Sequence, residues 1–474
     1  MSTNSRDGLV WDDSGLDLTP RWASEPNIEA IQSTCRRVLQ LDASDDCSVS
    51  FKAAGGFNRV YLVEDNCERR WIFRVSLPVD PRKKTTGEVA TLCWLERHSD
   101  IPAPRVVAFD DSSDNEIGYE WILMDLMPGT SAHNRWRKMS MEAKTTFVEK
   151  IAEYQAQIFN SSKFRAIGTL KDVSLDADSK LEPGQLVALM FFTGARYDFD
   201  VPRGPFRSSH DWLKACISIM IEDQKKLISE YSDSDSSPDS DSSSDSDSSS
   251  DSDSSSSSDS DSSPDSSSDS SSDSDKKYAK WNLEVAELLL DLLPDIFPKV
   301  LNPPERTVLL HDDLSLSNIL VDDDGAITAI LDWECVSTVP LWAATQMPQF
   351  LIGVDREDEP DRDSYRDADP EMEAQDRIRE GDYYLESEDK NPLYWEHLME
   401  YEQTKLRKVY SDRLSELCPA WAEAVADSGL KRDFYEAILR CDGGWWLRKI
   451  DDWVGEIWEG EFPTMAEMIQ PGRT

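Results

Sequence analysis

The stretch LLHDDLSLSNILVDDDGAITAILDWE sets His311, Asp313 and Asn318 at the spacing H-x-D-x-x-x-x-N and puts Asp332 further along, 332 − 313 = 19 residues after Asp313. These residue types at this spacing suit phosphoryl transfer. Asp313, in a loop, can accept the proton of an attacking hydroxyl. Asn318 opens the strand NILVD, where its amide oxygen can reach a magnesium ion. The DG turn and the strand AITAILD then return Asp332 to its side. Magnesium takes hard oxygen donors and shares them with phosphates. A hairpin whose polar residues only cap turns is the competing reading. Flanking apolar strands and an acid at the hairpin's end weigh against it.

Three features upstream stand in the order such chemistry needs. AAGGFNRVYLV carries Gly55 and Gly56 at a strand–strand turn, followed by Phe57 and Asn58, and backbone amides there could cover the phosphates of ATP. Any hairpin tip can carry Gly-Gly. Arg74, in WIFRV, shares a strand face with Ile72, opposite Trp71, Phe73 and Val75. Glu88 precedes Leu92 and Leu95 at helical spacing and so lies on an apolar side. A buried acid without a partner is costly. An Arg74–Glu88 ion pair satisfies both residues and aims the guanidinium at phosphates; a solvent-facing strand arginine is the alternative. EWILMDLMPGT reads as a link between lobes, an apolar strand running into Pro-Gly. It can set the Asp125 carbonyl and the Met127 amide at an adenine edge; a plain edge strand and turn is the alternative.

The elements that position these residues follow from patterning. Residues 1–44 read as a loose lead-in plus a helix from Asn27 to Leu41. Short β-type runs follow from Cys47 to Pro78, then a helix from Thr85 to Ser99, then the strands RVVAFDD and EWILMDLM. After Pro128 the chain turns helical, with strands returning from Thr307 to Asp332. PLWAATQMPQFL reads as a helix and Asp355 to Lys390 as loop.

Composition bounds the rest. Of the 474 residues, 39% are hydrophobic and 16 are Trp, ample for a core. Residues 232–275 contain only Ser, Asp and Pro, with 14 Asp; removing them from the net charge of −43 leaves −29, still strongly acidic. Such a surface repels nucleic-acid backbones and anionic membranes, so neither is an expected partner, whereas a cationic substrate would be steered in. The Ser/Asp tract has no apolar residue to offset its ordering entropy and is expected to be a disordered insertion, a target for an acid-directed protein kinase. Eight scattered cysteines without C-x-x-C pairs fit reduced core thiols. With a polar, acidic start and no long apolar run, a cytoplasmic location is expected.

Taken in order, GGFNRVYLV, WIFRV, GEVATLCWLERHSDIPAPRVV, ILMDLMPG, HDDLSLSNILV and ILDWE resemble the aminoglycoside phosphotransferase family of the protein-kinase-like superfamily, nearest to its fungal members, over roughly residues 47–350. The resemblance implies an α+β, two-lobed fold: an extension at 1–46, an ATP-binding lobe at 47–127 with an antiparallel sheet and one helix, and a mainly helical lobe at 128–474. It implies Asp313 as catalytic base, His311 as brace of its loop, Asn318 and Asp332 as magnesium ligands, and Met124 in the adenine pocket. Kinases carry Lys where this chain has Arg74, and Asp312 stands where the family has a small residue. The activity implied is ATP-dependent phosphorylation of a small-molecule hydroxyl. A catalytically inactive kinase-like binding module, or an interaction role dominated by the acidic tract, are the alternatives.

Overall fold

The computed structural model describes residues 6–15, 18–42, 44–171, 181–234, 271–299, 304–380, 390–441 and 446–469. The chain divides into two units: Met1–Cys216 with Leu293–Tyr435, and Ile217–Leu292 with Glu436–Thr474.

The first unit opens with an antiparallel hairpin, β1 (Leu9–Asp12) and β2 (Thr19–Trp22), and the helix α1 (Ile28–Val38). Asn27 caps α1 by accepting from the Glu29 and Ala30 amides. A loose lead-in was the expectation here. Instead Trp22 meets Tyr119 edge-on at 4.9 Å, and Arg6 donates to the Phe192 and Gly194 carbonyls. A few apolar side chains and one arginine anchor this otherwise polar segment.

Next come β3 (Cys47–Ala54), β4 (Asn58–Asp65), β5 (Arg70–Ser76), α2 (Lys83–His98), β6 (Val106–Asp110) and β7 (Glu120–Asp125). The strands form one antiparallel sheet, ordered β3-β4-β5-β7-β6. Period-two alternation gives it two faces. Tyr61, Val63, Trp71, Phe73, Val75, Trp121 and Leu123 face outward into a core completed by Ile31 and Cys35 of α1 and by Val187 and Phe192. In the same register Val60, Arg74 and Ile122 align on the inner face, flanked by Asn58, Ser76 and Glu120.

Glu120 is 4% exposed, and its Oε1 accepts the Arg82 amide at 2.5 Å where Arg82 (φ +68) opens α2. Burial lifts this carboxyl from its ordinary 4.5 to about 7. A folded pKa above the unfolded one gives a contribution that is complete below about pH 4.5 and lost as pH rises through about 7. Glu120→Gln, which keeps the acceptor, should therefore gain stability over wild type at pH 8 but not at pH 4.5, by at most about 3 kcal/mol. Thermal melts at the two pH values check this; a difference that does not grow with pH would contradict it.

The unit continues through β8 (Thr130–Ser131), α3 (Ala132–Arg135), α4 (Met141–Ser161), β9 (Gly168–Lys171), β10 (Glu182–Pro183), α5 (Leu189–Phe192) and the start of α6 (Ser209–Ser234). It resumes at the end of α7 (Ser271–Ile296), then β11 (Thr307–Leu310), β12 (Ile319–Val321), β13 (Ile327–Ile330), β14 (Ser337–Pro340), α8 (Pro370–Glu380), α9 (Pro392–Leu417), α10 (Pro419–Ala426) and the first turns of α11 (Gly429–Arg440). β10-β9-β14-β11 form one small sheet and β13-β12-β8 another. Gly129, at φ +114, lets the chain after β7 pass close to β12 and β13, because a Cβ there would collide with Thr328 Oγ1 and the Val321 carbonyl.

Two expectations are corrected. PLWAATQMPQFL is not a helix: Ser337–Pro340 pairs with β11 and β9, and single 3₁₀ turns follow at Ala343–Thr345 and Gln349–Leu351. Pro348 cannot donate within a helix, and Trp342 is fixed by its indole N–H to Ser209 Oγ at 2.8 Å. Within 355–390, read as loop, residues Pro370–Glu380 are helical.

The second unit holds most of α6 and α7, the end of α11, α12 (Leu447–Glu459) and α13 (Met465–Ile469). Residues 232–234 and 271–275, expected to be disordered, belong to α6 and α7; most of the Ser/Asp tract, 235–270, lies outside the described residues. Trp453 is wholly buried and its indole N–H donates to the Pro463 carbonyl at 2.9 Å, so it serves the core of this unit. No helix among the described residues is long and apolar enough to cross a membrane.

Candidate active site

Strand β5 delivers Arg74 to the inner face, and α2 delivers Glu88 opposite it. Arg74 Nη1 lies 2.9 Å from Glu88 Oε1. Both are nearly sealed, the Arg74 side chain 9% exposed and Glu88 2%. The hairpin β12–β13 supplies the third member: Arg74 Nη2 lies 3.1 Å from Asp332 Oδ1. Three residues singled out by sequence, 332 − 74 = 258 positions apart at the extremes, thus meet on one guanidinium. Asp332, at φ +60, sits in the left-handed region that Asn and Asp tolerate better than other side chains. Its side chain is 37% exposed, so it is the carboxylate of the group that an incoming ligand can reach.

Sequence reasoning missed two members. Glu334 Oε2 lies 2.5 Å from Arg74 Nη2 and 2.5 Å from Lys84 Nζ, and it accepts from Asn58 Nδ2 at 2.9 Å. Lys84 is 1% exposed and also donates to Asn58 Oδ1 at 3.0 Å. The available signals were the third letter of Asp-Trp-Glu and the spacing of Lys84 to Glu88, one helical turn. Burial works to raise both carboxyls. Arg74 and Lys84 overcome it at Glu334 and hold that group at about 2, whereas at Glu88 burial prevails and lifts it to about 7. Burial also disfavours the Arg74 charge, but the carboxylates of Glu334, Glu88 and Asp332 raise its pKa.

The loop after β11 carries Asp313, which is exposed. Asn318 Nδ2 donates to the Asp313 carbonyl at 2.9 Å and to Asp313 Oδ2 at 3.1 Å. The Leu331 amide donates to the Asn318 carbonyl at 2.8 Å, tying the loop to the residue before Asp332. His311 is 7% exposed; its Nε2 donates to the Leu331 carbonyl at 3.0 Å, and its ring stands edge-on to Trp333 at 4.7 Å. It touches the backbone under the site and reaches no exposed surface.

The remaining sequence candidates divide. Met124, 5% exposed, lies on β7 in register with Ile72 and Val106. The Asp125 carboxylate pairs with Arg105 at 3.2 Å and its amide donates to the Arg105 carbonyl, while Met127 is half-buried beyond it. Gly55 and Gly56 form the exposed tip of the β3–β4 hairpin, with open space where a Cβ would stand. The Phe57 ring packs edge-on to Phe192 at 5.5 Å, beside the outer core. Asn58 serves the ion-paired group rather than the tip.

Asp313, Asn318 and Asp332 carry hard oxygen donors: Asn318 is hydrogen-bonded to Asp313, and the Leu331 amide, one residue before Asp332, donates to the Asn318 carbonyl. Among the described residues no cluster of three or more His, Cys, Asp or Glu forms a ready metal cage. That donor set fits a magnesium ion that draws its other ligands from phosphates and water. A cavity of about 680 Å³ lined by Trp94, His98, Lys163 and Phe164 contains none of these residues.

The sequence profile described as "Phosphotransferase enzyme family" matches residues 50–180 and 265–343. A subtelomeric hrmA-associated cluster protein of Aspergillus fumigatus is 27% identical over 327 residues, 66% of this chain and 62% of that protein. The clavilactone A biosynthesis cluster protein Y of Ampulloclitocybe clavipes is 44% identical over 71 residues, 15% of this chain and 18% of that protein. The chain thus spans about three fifths, 62%, of the first of these relatives. Among solved structures, the streptomycin–ATP–APH(2")-IIa ternary complex aligns over 94% of this chain and 99% of its own, with 13% identity and a TM-score of 0.41.

Proposed function

We propose that the chain, which matches the phosphotransferase enzyme family over residues 50–180 and 265–343, is a member of it and transfers the γ-phosphate of ATP to a hydroxyl of a small molecule. The observation that carries this reading is the meeting of Arg74, Glu88 and Asp332 beside the Asp313–Asn318 pair. Phosphoryl transfer needs little beyond positioning and charge stabilisation, and those are the tasks these residues suit.

In this mechanism Asp313 accepts the hydroxyl proton on Oδ1, since Asn318 occupies Oδ2 at 3.1 Å. Asn318 and Asp332 would hold magnesium, which when bound neutralises charge on the phosphates. Glu88 braces Arg74, whose Nη2 edge faces the exposed Asp332 and thereby the approaching phosphates. Met124 lines the adenine side, with the Asp125 carbonyl and Met127 amide at its edge. His311 holds the backbone of Leu331 and so the path of the chain into Asp332. The acidic chain favours a cationic acceptor. The location proposed is cytoplasmic, in keeping with eight cysteines that form no C-x-x-C pair, and the Ser/Asp tract is proposed as a protein-kinase target.

The test is nucleotide binding by calorimetry with and without magnesium, followed by incubation of the full chain with γ-labelled ATP and a fractionated metabolite extract. Magnesium-dependent binding and label on a small molecule are expected. Binding without transfer to any fraction would favour the inactive binding module; no binding would reject the reading.

A further inference from the structure

We propose that Lys84, Asn58 and Glu334 form a holder that keeps Arg74 aimed once Asp332 has exchanged the guanidinium for a metal-bound nucleotide. The inference rests on the function proposed above and adds three positioning residues to it. Arg74 Nη2 has two acidic partners, Asp332 at 3.1 Å and Glu334 at 2.5 Å. Asp332 is the exposed one and the one suited to a metal. When its carboxylate turns to a metal–phosphate group, its grip on Arg74 weakens. Glu88 then holds Nη1, and Glu334 is what holds Nη2.

Glu334 can do this because it is itself fixed. Its Oε2 receives Lys84 Nζ at 2.5 Å and Asn58 Nδ2 at 2.9 Å in addition to Arg74. Asn58 is in turn oriented by Lys84 at 3.0 Å and by the Ser76 hydroxyl at 2.9 Å, both donating to its Oδ1. Asn58, Ser76 and Lys84 are 6%, 1% and 1% exposed, so water cannot substitute for a lost partner. The group draws on β4, β5, α2 and the chain after β13. One helix serves both ends of the guanidinium: α2 carries Glu88 itself and, four residues earlier, the lysine that holds Glu334. Lys84 and Arg74 also place two cations against the three carboxylates Glu88, Asp332 and Glu334. Removing Lys84 would leave phosphates to approach a more negative site.

The test compares Lys84→Met, Glu334→Gln and the double variant, by thermal melting and by calorimetric affinity for Mg–ATP and for adenosine. Adenosine has no phosphates for Arg74 to meet, so a merely structural defect lowers both affinities together. Glu334→Gln leaves the buried Lys84 ammonium without its carboxylate, and Lys84→Met leaves Glu334 with Arg74 alone of its two cationic partners, so each should melt several degrees lower, whereas the double variant removes both partners and should recover most of that loss. The expected result is a double variant that melts close to wild type, binds adenosine as wild type does, and binds Mg–ATP at least tenfold more weakly. Equal losses for the two ligands, or Mg–ATP affinity restored with the melting temperature, would overturn the inference. Wild-type protein that bound no nucleotide would instead fail the function reading on which it stands, and this inference with it.

Discussion

Asp313→Asn will bind Mg–ATP as the wild-type chain does and will transfer phosphate about 10³-fold more slowly, the scale of a lost general base. The asparagine preserves an oxygen to receive Asn318 Nδ2, which lies 3.1 Å from Asp313 Oδ2, so the loop keeps its shape. What disappears is the carboxylate's basicity. Asp332→Asn should behave in the opposite way, losing magnesium-dependent nucleotide binding itself. Asparagine suits this substitution because it tolerates the φ of +60 at position 332, so the variant removes charge without straining the backbone. Single-turnover transfer and calorimetry on the two variants separate the roles. Wild-type transfer by either one would remove that residue from the chemistry.

Arg74→Ala will be the most damaging single change, lowering stability by about 3–5 kcal/mol, the range seen when one member of a buried ion pair is deleted. It strips Glu88, 2% exposed, of its partner and leaves Glu334 to Lys84 and Asn58. Arg74→Lys keeps the charge but presents one ammonium where the guanidinium reaches Glu88 with Nη1 and both Asp332 and Glu334 with Nη2. It should lie between wild type and alanine in denaturant midpoint, yet bind Mg–ATP at least tenfold more weakly than wild type. A lysine variant with wild-type nucleotide affinity would show that the fork is not needed.

The five-stranded sheet and its partner helix were legible because alternation in CSVSFKAA, NRVYLVED and RWIFRVS marks one face apolar, and because a charge inside such a run must be exposed or paired. That logic also found Arg74 and Glu88. It did not find Lys84 and Glu334, which are 334 − 84 = 250 positions apart. In PRKKTTGE a lysine at a helix start reads as a solvated charge, and only the tertiary arrangement of α2 over β5 shows that it is sealed. PLWAATQMPQFL misled for a related reason. Its local composition allows a helix, while the pairing of Ser337–Pro340 with β11 is a long-range choice. Phe57 follows two glycines, and nothing in that pattern marks its ring as a neighbour of Phe192 in the outer core.

That outer core also sets an order of events during synthesis. The last strand of the sheet ends at Asp125, but Val187 and Phe192, which complete its outer face, arrive much later in the chain. At roughly 5–20 residues per second, an interval of about 60 residues leaves Phe73 and Trp121 short of their final neighbours for about 3–12 s. Loop-closure entropy must be met before those contacts form. The nascent sheet is therefore an apolar surface waiting for its cover. Cutting the chain after β7 would part the sheet from some of its own core.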